Sequence, residues 1–120
     1  MEEIMGERGQ IAIKNPNDQR VYLYTHWYGP EIPEVLKAAL KRGRNRWDDE
    51  SYLARIIFNE MTKGKEMEDT GYGIDTYKHI DTSYPIPVLD CNTQTITWEK
   101  GAYGDQPPEP ISFADFVGTD

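Results

Sequence analysis

Ile11 and Ile13 fall on one side of a short extended run and Gln10, Ala12 and Lys14 on the other, the two-residue period of a half-buried strand. The turn formers Asn15-Pro16-Asn17-Asp18 follow. The stretch 20–27 then sets Val21, Leu23, Thr25 and Trp27 against Tyr22, Tyr24 and His26, so the opening of the chain predicts a β-hairpin. Gly29-Pro30 breaks this pattern. Pro33 suits the first turn of a helix over 32–42, where Ile32, Val35, Leu36, Ala39 and Leu40 form one apolar stripe and Gly43 stops it. A second helix is capped by Asp48 or Asp49, carries Tyr52, Leu53, Ile56, Ile57 and Met61 on one face, and ends at Gly64.

The charged stretch 65–70 reads as mobile, and Gly71-Tyr72-Gly73 leads into a third strand near 73–80. Pro85 and Pro87 frame the start of a fourth strand and place it, at least at its beginning, at a sheet edge. Asp90-Cys91-Asn92-Thr93 reads as a turn, and 94–98 returns as a fifth strand rich in β-branched residues. Beyond the Gly/Pro-rich connector 101–110, Ser112 caps a helical turn in which Ile111, Phe113, Phe116 and Val117 dock on the core. The order is ββααβββ plus that turn. Two hairpins and a helical pair indicate the α+β class: an antiparallel sheet of about five strands with two helices on one face. The repeated strand–helix–strand crossovers of a doubly wound nucleotide-binding fold are missing.

At 120 residues the chain buries about two thirds of its extended surface, enough for one core and hence one domain, 1–120, with 1–8 and 118–120 as mobile ends. No apolar run approaches the roughly 20 residues of a membrane span, and the acidic start Met1-Glu2-Glu3-Ile4 lacks the basic and apolar regions of a secretory signal, so the expected location is cytoplasmic. One cysteine, Cys91, and two histidines make neither a disulfide nor a Cys/His zinc cage, and no metal or other cofactor is expected. The formal net charge is -8, with 10 basic and 10 acidic side chains in residues 1–64 and 3 and 11 in residues 65–120. An acidic half of this kind repels phosphate backbones and argues against general nucleic-acid binding.

Met5-Gly6-Glu7-Arg8-Gly9-Gln10-Ile11, Leu23-Tyr24-Thr25-His26-Trp27, Arg46-Trp47-Asp48-Asp49 with 52–58, and Thr70-Gly71-Tyr72-Gly73-Ile74, in this order, resemble a family of small uncharacterised proteins of bacteria, archaea and their viruses. The resemblance covers about residues 5–98 and departs at Tyr28, where a small or acidic residue is usual, and in the four residues ahead of Met5-Gly6. It implies common ancestry and a virus- or mobile-element-encoded protein that acts on a host or competing system. It supplies no catalytic residue.

Several side chains invite a chemical reading. His26 stands at a strand end beside a loop, where an imidazole is well placed as a general base if Asp48, Asp49 or Glu50 orients it and Arg8 or Arg55 holds an anion. The competing account is a histidine stacked on its aromatic neighbours. Asp48-Asp49-Glu50 is also what helix capping and the helix dipole favour. Arg55 is either an anion or carboxylate partner or an exposed arginine along its helix. Lys37, Lys41, Arg42, Arg44 and Arg46 near Trp47 suggest a phosphate loop with a stacking ring, or cations answering the end of the first helix. His79 with Asp81 is half a metal site on a polar strand face, and Cys91 lacks an activating partner.

Eight tyrosines and three tryptophans remain. Tyr22, Tyr24, His26, Trp27 and Tyr28 put rings on both faces of the second strand, and solvent-near rings with polar tips suit protein interfaces. The expected function is therefore a small, acidic, non-enzymatic protein-binding or regulatory factor, with Tyr22, Tyr24, His26, Trp27, Tyr28 and Arg55 as binding residues. Its expected partner is a protein with a basic surface; imitation of nucleic acid is a narrower version. The alternative is a small enzyme or nucleotide- or phosphate-binding module using His26, Arg55 and Asp48 or Asp49. An open sheet edge leaves homodimerisation possible, with Pro85 and Pro87 guarding one side.

Overall fold

In the computed structural model, which describes residues 7–79, 81–101 and 106–118, the opening alternation becomes a hairpin of β1 (Gly9–Lys14) and β2 (Arg20–Thr25). Asn15 holds its turn: the side-chain oxygen accepts the amides of Asn17 and Gln19, both at 2.9 Å. A single 3-10 turn at Gly29–Glu31 leads into α1 (Ile32–Arg42), which buries Ile32, Leu36, Ala39 and Leu40. These positions recur every three or four residues and so line one side of the helix. Asp49 caps α2 (Glu50–Thr62) by accepting the Tyr52 amide at 3.1 Å, and Leu53, Ile57 and Met61 form its buried stripe.

The remaining elements are β3 (Tyr72–Asp75), β4 (Ile86–Asp90), β5 (Thr95–Glu99), β6 (Ile111–Ser112) and α3 (Phe113–Val117). The strands form one sheet in the order β3-β2-β1-β4-β5-β6. The helices share a core with one face of it, where Ile11, Ile13, Leu23, Leu89 and Ile96 meet Leu36, Leu40, Leu53, Ile57 and Phe113. The opposite face keeps a small cluster of its own, Ala12, Tyr22, Ile86 and Val88.

The α+β class holds, and several details differ from expectation. Among the described residues the sheet has six strands and is mixed: β1 pairs parallel with β4, and every other neighbouring pair is antiparallel. The described residues form three helices in the order ββααββββα: Ile111 joins a short strand against β5 before Ser112 caps α3, accepting the Asp115 amide at 3.0 Å. β4 lies inside the sheet from Val88 onward, and at its beginning, Ile86-Pro87, it is paired with β5 alone. Its prolines are tolerated because Pro85 precedes the strand and the ladder with β1 begins only at Val88, beyond Pro87. The third strand stops at Asp75 instead of running to 80, and Ile80 itself lies outside the described residues. Most of the ends expected to be mobile also lie outside them. No helix among the described residues is long and apolar enough to cross a membrane.

Candidate functional site

Gln10 explains why the third strand stops early. Its side chain is fully buried on the face of β1 away from the helices. A buried amide left without partners is destabilising, so the chain that covers it must supply them. Tyr77, His79 and Thr82 do so. The His79 amide (3.0 Å) and the Thr82 hydroxyl (2.7 Å) donate to Gln10 Oε1, and Gln10 Nε2 donates to the Tyr77 carbonyl (3.3 Å). The Ser83 amide reaches the Arg8 carbonyl at 3.0 Å, and Arg8 Nε lies 3.6 Å from Asp81. Continued pairing with β2 would leave Gln10 uncovered, so the chain folds back over the sheet.

This fold-back assembles a chain of rings at the β2–β3 side of the sheet. Trp27 and His26 meet edge to face at 4.2 Å between centroids. Tyr24 Oη lies 2.9 Å from His26 Nδ1, and the Tyr24 ring is 5.0 Å from that of His79. His79 is in turn 5.2 Å from Tyr77. Its Nε2 is 2.6 Å from Asp75 Oδ2, on the same face of β3 as Tyr24 on β2. The outer members are well exposed, Trp27 at 54% and Tyr77 at 59%, and Ile74 at the strand edge shows 59%. The depression beside them, between Arg20, Tyr22 and Tyr77, is wide and open to solvent. An imidazole–carboxylate pair is therefore present, half-buried and with rings as neighbours.

Of the residues expected to bind, Tyr24, His26 and Trp27 belong to this surface and the others do not. Tyr22 is sealed at 6% exposure, its hydroxyl accepting from Arg20 at 3.2 Å. Arg20 crosses it to pair with Glu99 on β5. Tyr28 stacks on Tyr72 at 6.4 Å with Lys65 above the ring, on the helix side of the sheet. Arg55 is exposed on α2, bonded to Asn59 at 3.2 Å, while Asp49 is occupied as a cap.

The proposed triad of His26, Arg55 and Asp48 or Asp49 is thus divided between opposite faces of the sheet. Trp47 is no platform for a base either: it is 8% exposed, donates to the Leu40 carbonyl at 2.9 Å and packs edge to face on Phe113. Arg44 lies over Trp47, Arg46 over Tyr52, and Arg42 donates to the Ile56 carbonyl, so these cations are engaged locally. His79 finds Asp75, while Asp81 pairs with Arg8. Among the described residues, no three histidine, cysteine or acidic side chains converge as a metal site.

Reading from sequence missed Tyr77 and the Asp75–His79 pair as part of a surface. The available signal was Gln10 itself, an amide two residues from small Ala12 and ahead of the apolar run Ile11-Ala12-Ile13. A separate cleft of ≈ 150 Å³ lies among Pro30, Leu36, Tyr84, Pro87, Trp98 and Phe116. Its lining is largely apolar, and the hydroxyl of Tyr84 donates to Glu7 Oε1 at 3.1 Å. No protein-family model matches the chain, and neither curated proteins nor solved structures give a significant match.

Proposed function

We propose that the chain is a small non-enzymatic binding protein whose recognition surface is the ring chain Trp27–His26–Tyr24–His79–Tyr77, and whose partner is a protein with a basic surface. The observation that carries this reading is the exposure of Trp27 and Tyr77 at the two ends of the ring chain, together with exposed Ile74 on the edge strand β3. Exposed rings held in place by packing and hydrogen bonds bury large area on docking at little further cost in conformational entropy. The acid excess of the second half supports the choice of a cationic partner. The family resemblance extends the proposal to a component of a host or competing system.

The test is quantitative affinity capture from lysate of the cell in which the protein acts, followed by measurement with the purified partner. The double variant Trp27→Ala/Tyr77→Ala is expected to weaken binding roughly ten-fold or more, as loss of aromatic anchors does. Tyr52→Ala, which removes an equally exposed ring from α2 (51%), leaves binding unchanged. Raised salt slows association. Equal binding by all three proteins overturns the reading. So does the absence of any partner together with stabilisation by nucleotides or sugar phosphates that His26→Ala abolishes.

A further inference from the structure

The free edge of β3 has a defined hydrogen-bonding pattern. The His26 amide donates to the Gly71 carbonyl at 2.9 Å, and the register continues as Thr25 opposite Tyr72, Tyr24 opposite Gly73, Leu23 opposite Ile74 and Tyr22 opposite Asp75. In an antiparallel ladder, hydrogen-bonded and non-bonded pairs alternate. Gly73 and Asp75 therefore turn their backbone groups toward β2, while Tyr72 and Ile74 turn theirs outward. β3 ends the sheet, and no described strand lies beyond it. The strand carries no lysine, proline or bulge of the kind that blunts an exposed edge.

From these observations we infer that β3 accepts an extended cationic peptide segment of a partner protein as an added strand. The inference deepens the protein-binding reading above and rests on it. Residues 66–75 contain Glu66, Glu68, Asp69 and Asp75 and no lysine or arginine. Of the nearby cations, Lys65 lies over the Tyr28 ring, Lys63 pairs with Glu60 at 3.8 Å, and Lys78 is exposed between Tyr77 and His79, beyond the acidic stretch. A second copy docking edge to edge would set this acidic stretch against itself, which like-charge repulsion opposes. A basic strand meets complementary charge instead. Alternation specifies it further: side chains on the helix side meet exposed Ile74, and those on the other side meet Asp75 and the rings of Tyr77 and His79. The fitting sequence alternates apolar or β-branched residues with Lys or Arg.

A displayed library of random linear peptides, selected against the full chain at low salt, is expected to enrich that alternation. Addition of an enriched synthetic peptide slows hydrogen exchange at the Tyr72 and Ile74 amides roughly ten-fold or more and leaves the Gly73 amide, already paired with Tyr24, unchanged. Ile74→Pro removes only an outward N–H, a position where edge strands accept proline. It weakens peptide binding roughly ten-fold, and by clearly more than Ile74→Thr, which trims the apolar side chain but keeps the amide. Methylation of alternate backbone nitrogens of the peptide gives the same loss without altering the protein.

The strand-addition inference is overturned if no peptide enriches, if acidic peptides enrich, or if neither outward amide is protected. Concentration-dependent protection without peptide, which marks self-pairing, overturns it as well. A protein partner whose binding falls with Trp27→Ala/Tyr77→Ala but not with Ile74→Pro removes the added strand and leaves the aromatic surface standing. Protected amides with binding indifferent to the double variant do the reverse.

Discussion

Gln10 is the residue on which the arrangement of the ring surface depends. Its amide makes three hydrogen bonds to the 77–82 segment from a fully buried position, and replacing it with leucine leaves two donors and a carbonyl without their partner. Gln10→Leu is expected to destabilise the fold by about 1–3 kcal/mol in urea denaturation. The His79 amide is expected to exchange faster in the variant, which separates loss of the covering segment from a general loss of stability. Cys91 makes a different prediction. Burial pushes its thiol up to about 12, with Glu50, Asp90, Asp49 and Asp48 adding to the effect. Folding thus favours the neutral thiol, a contribution complete below the ordinary value of 9.0 and lost as pH climbs toward about 12. Native protein is expected to resist alkylating reagents at pH values where the unfolded chain reacts. Cys91→Ala is expected to flatten the fall in stability on the alkaline side, measured by denaturation at a series of pH values.

The junction of β1 with the turn preceding α1 depends on two glycines. A methyl at Gly29 would sit 2.5 Å from the Glu7 carbonyl and 2.7 Å from Tyr84 Cδ2, and one at Gly9 would strike Ile32 and the Gly29 backbone. Gly29→Ala is expected to cost about 1–3 kcal/mol in thermal or chemical denaturation, since backbone on one side and a packed ring on the other leave little room to yield. Asp49→Ala, which removes the cap of α2, is expected to cost about 1 kcal/mol by the same measurement.

These helices were legible because local signals define them: apolar spacing, Pro33, Gly43 and the Asp49 cap coincide with the observed ends of α1 and α2. The hairpins were legible for the same reason. What stayed hidden was non-local. No local pattern announces that β1 and β4 are parallel neighbours, that Ile111 pairs with β5, or that the polar run after Asp75 closes over Gln10 instead of continuing as a strand. The candidate site divides along this line. Tyr24, His26 and Trp27 come from one strand and the bend that follows it and were visible as a group, whereas Tyr77 and His79 join them only through contacts between residues far apart in the chain. Tyr22 was misplaced because alternation alone cannot reveal that Arg20 and the covering segment seal its ring.

Across the whole molecule, the uneven charge gives the two ends of the chain different roles. The cations of the first half are largely held by local rings, carbonyls and carboxylates. The acids between Glu66 and Asp75 lie beside the only sheet edge, among the described residues, that pairs a hydrophobic side chain as exposed as Ile74 with outward backbone groups. Attraction and edge chemistry therefore coincide in one place, and the salt dependence of association is expected to vanish when Glu66, Glu68 and Asp69 are replaced by glutamine, measured as the on-rate at two ionic strengths.

The parallel seam between β1 and β4 has a consequence for synthesis. Ala12 needs Tyr22 on one flank and Val88 on the other. As the chain leaves the ribosome, the first hairpin is complete while the strand that must lie against it has yet to be translated. At about 5–20 residues per second, several seconds pass with that seam bare. The nascent protein thus carries, for that interval, a second vacant border in the very middle of its future sheet, where a chaperone or a neighbouring chain can settle before the rightful strand arrives.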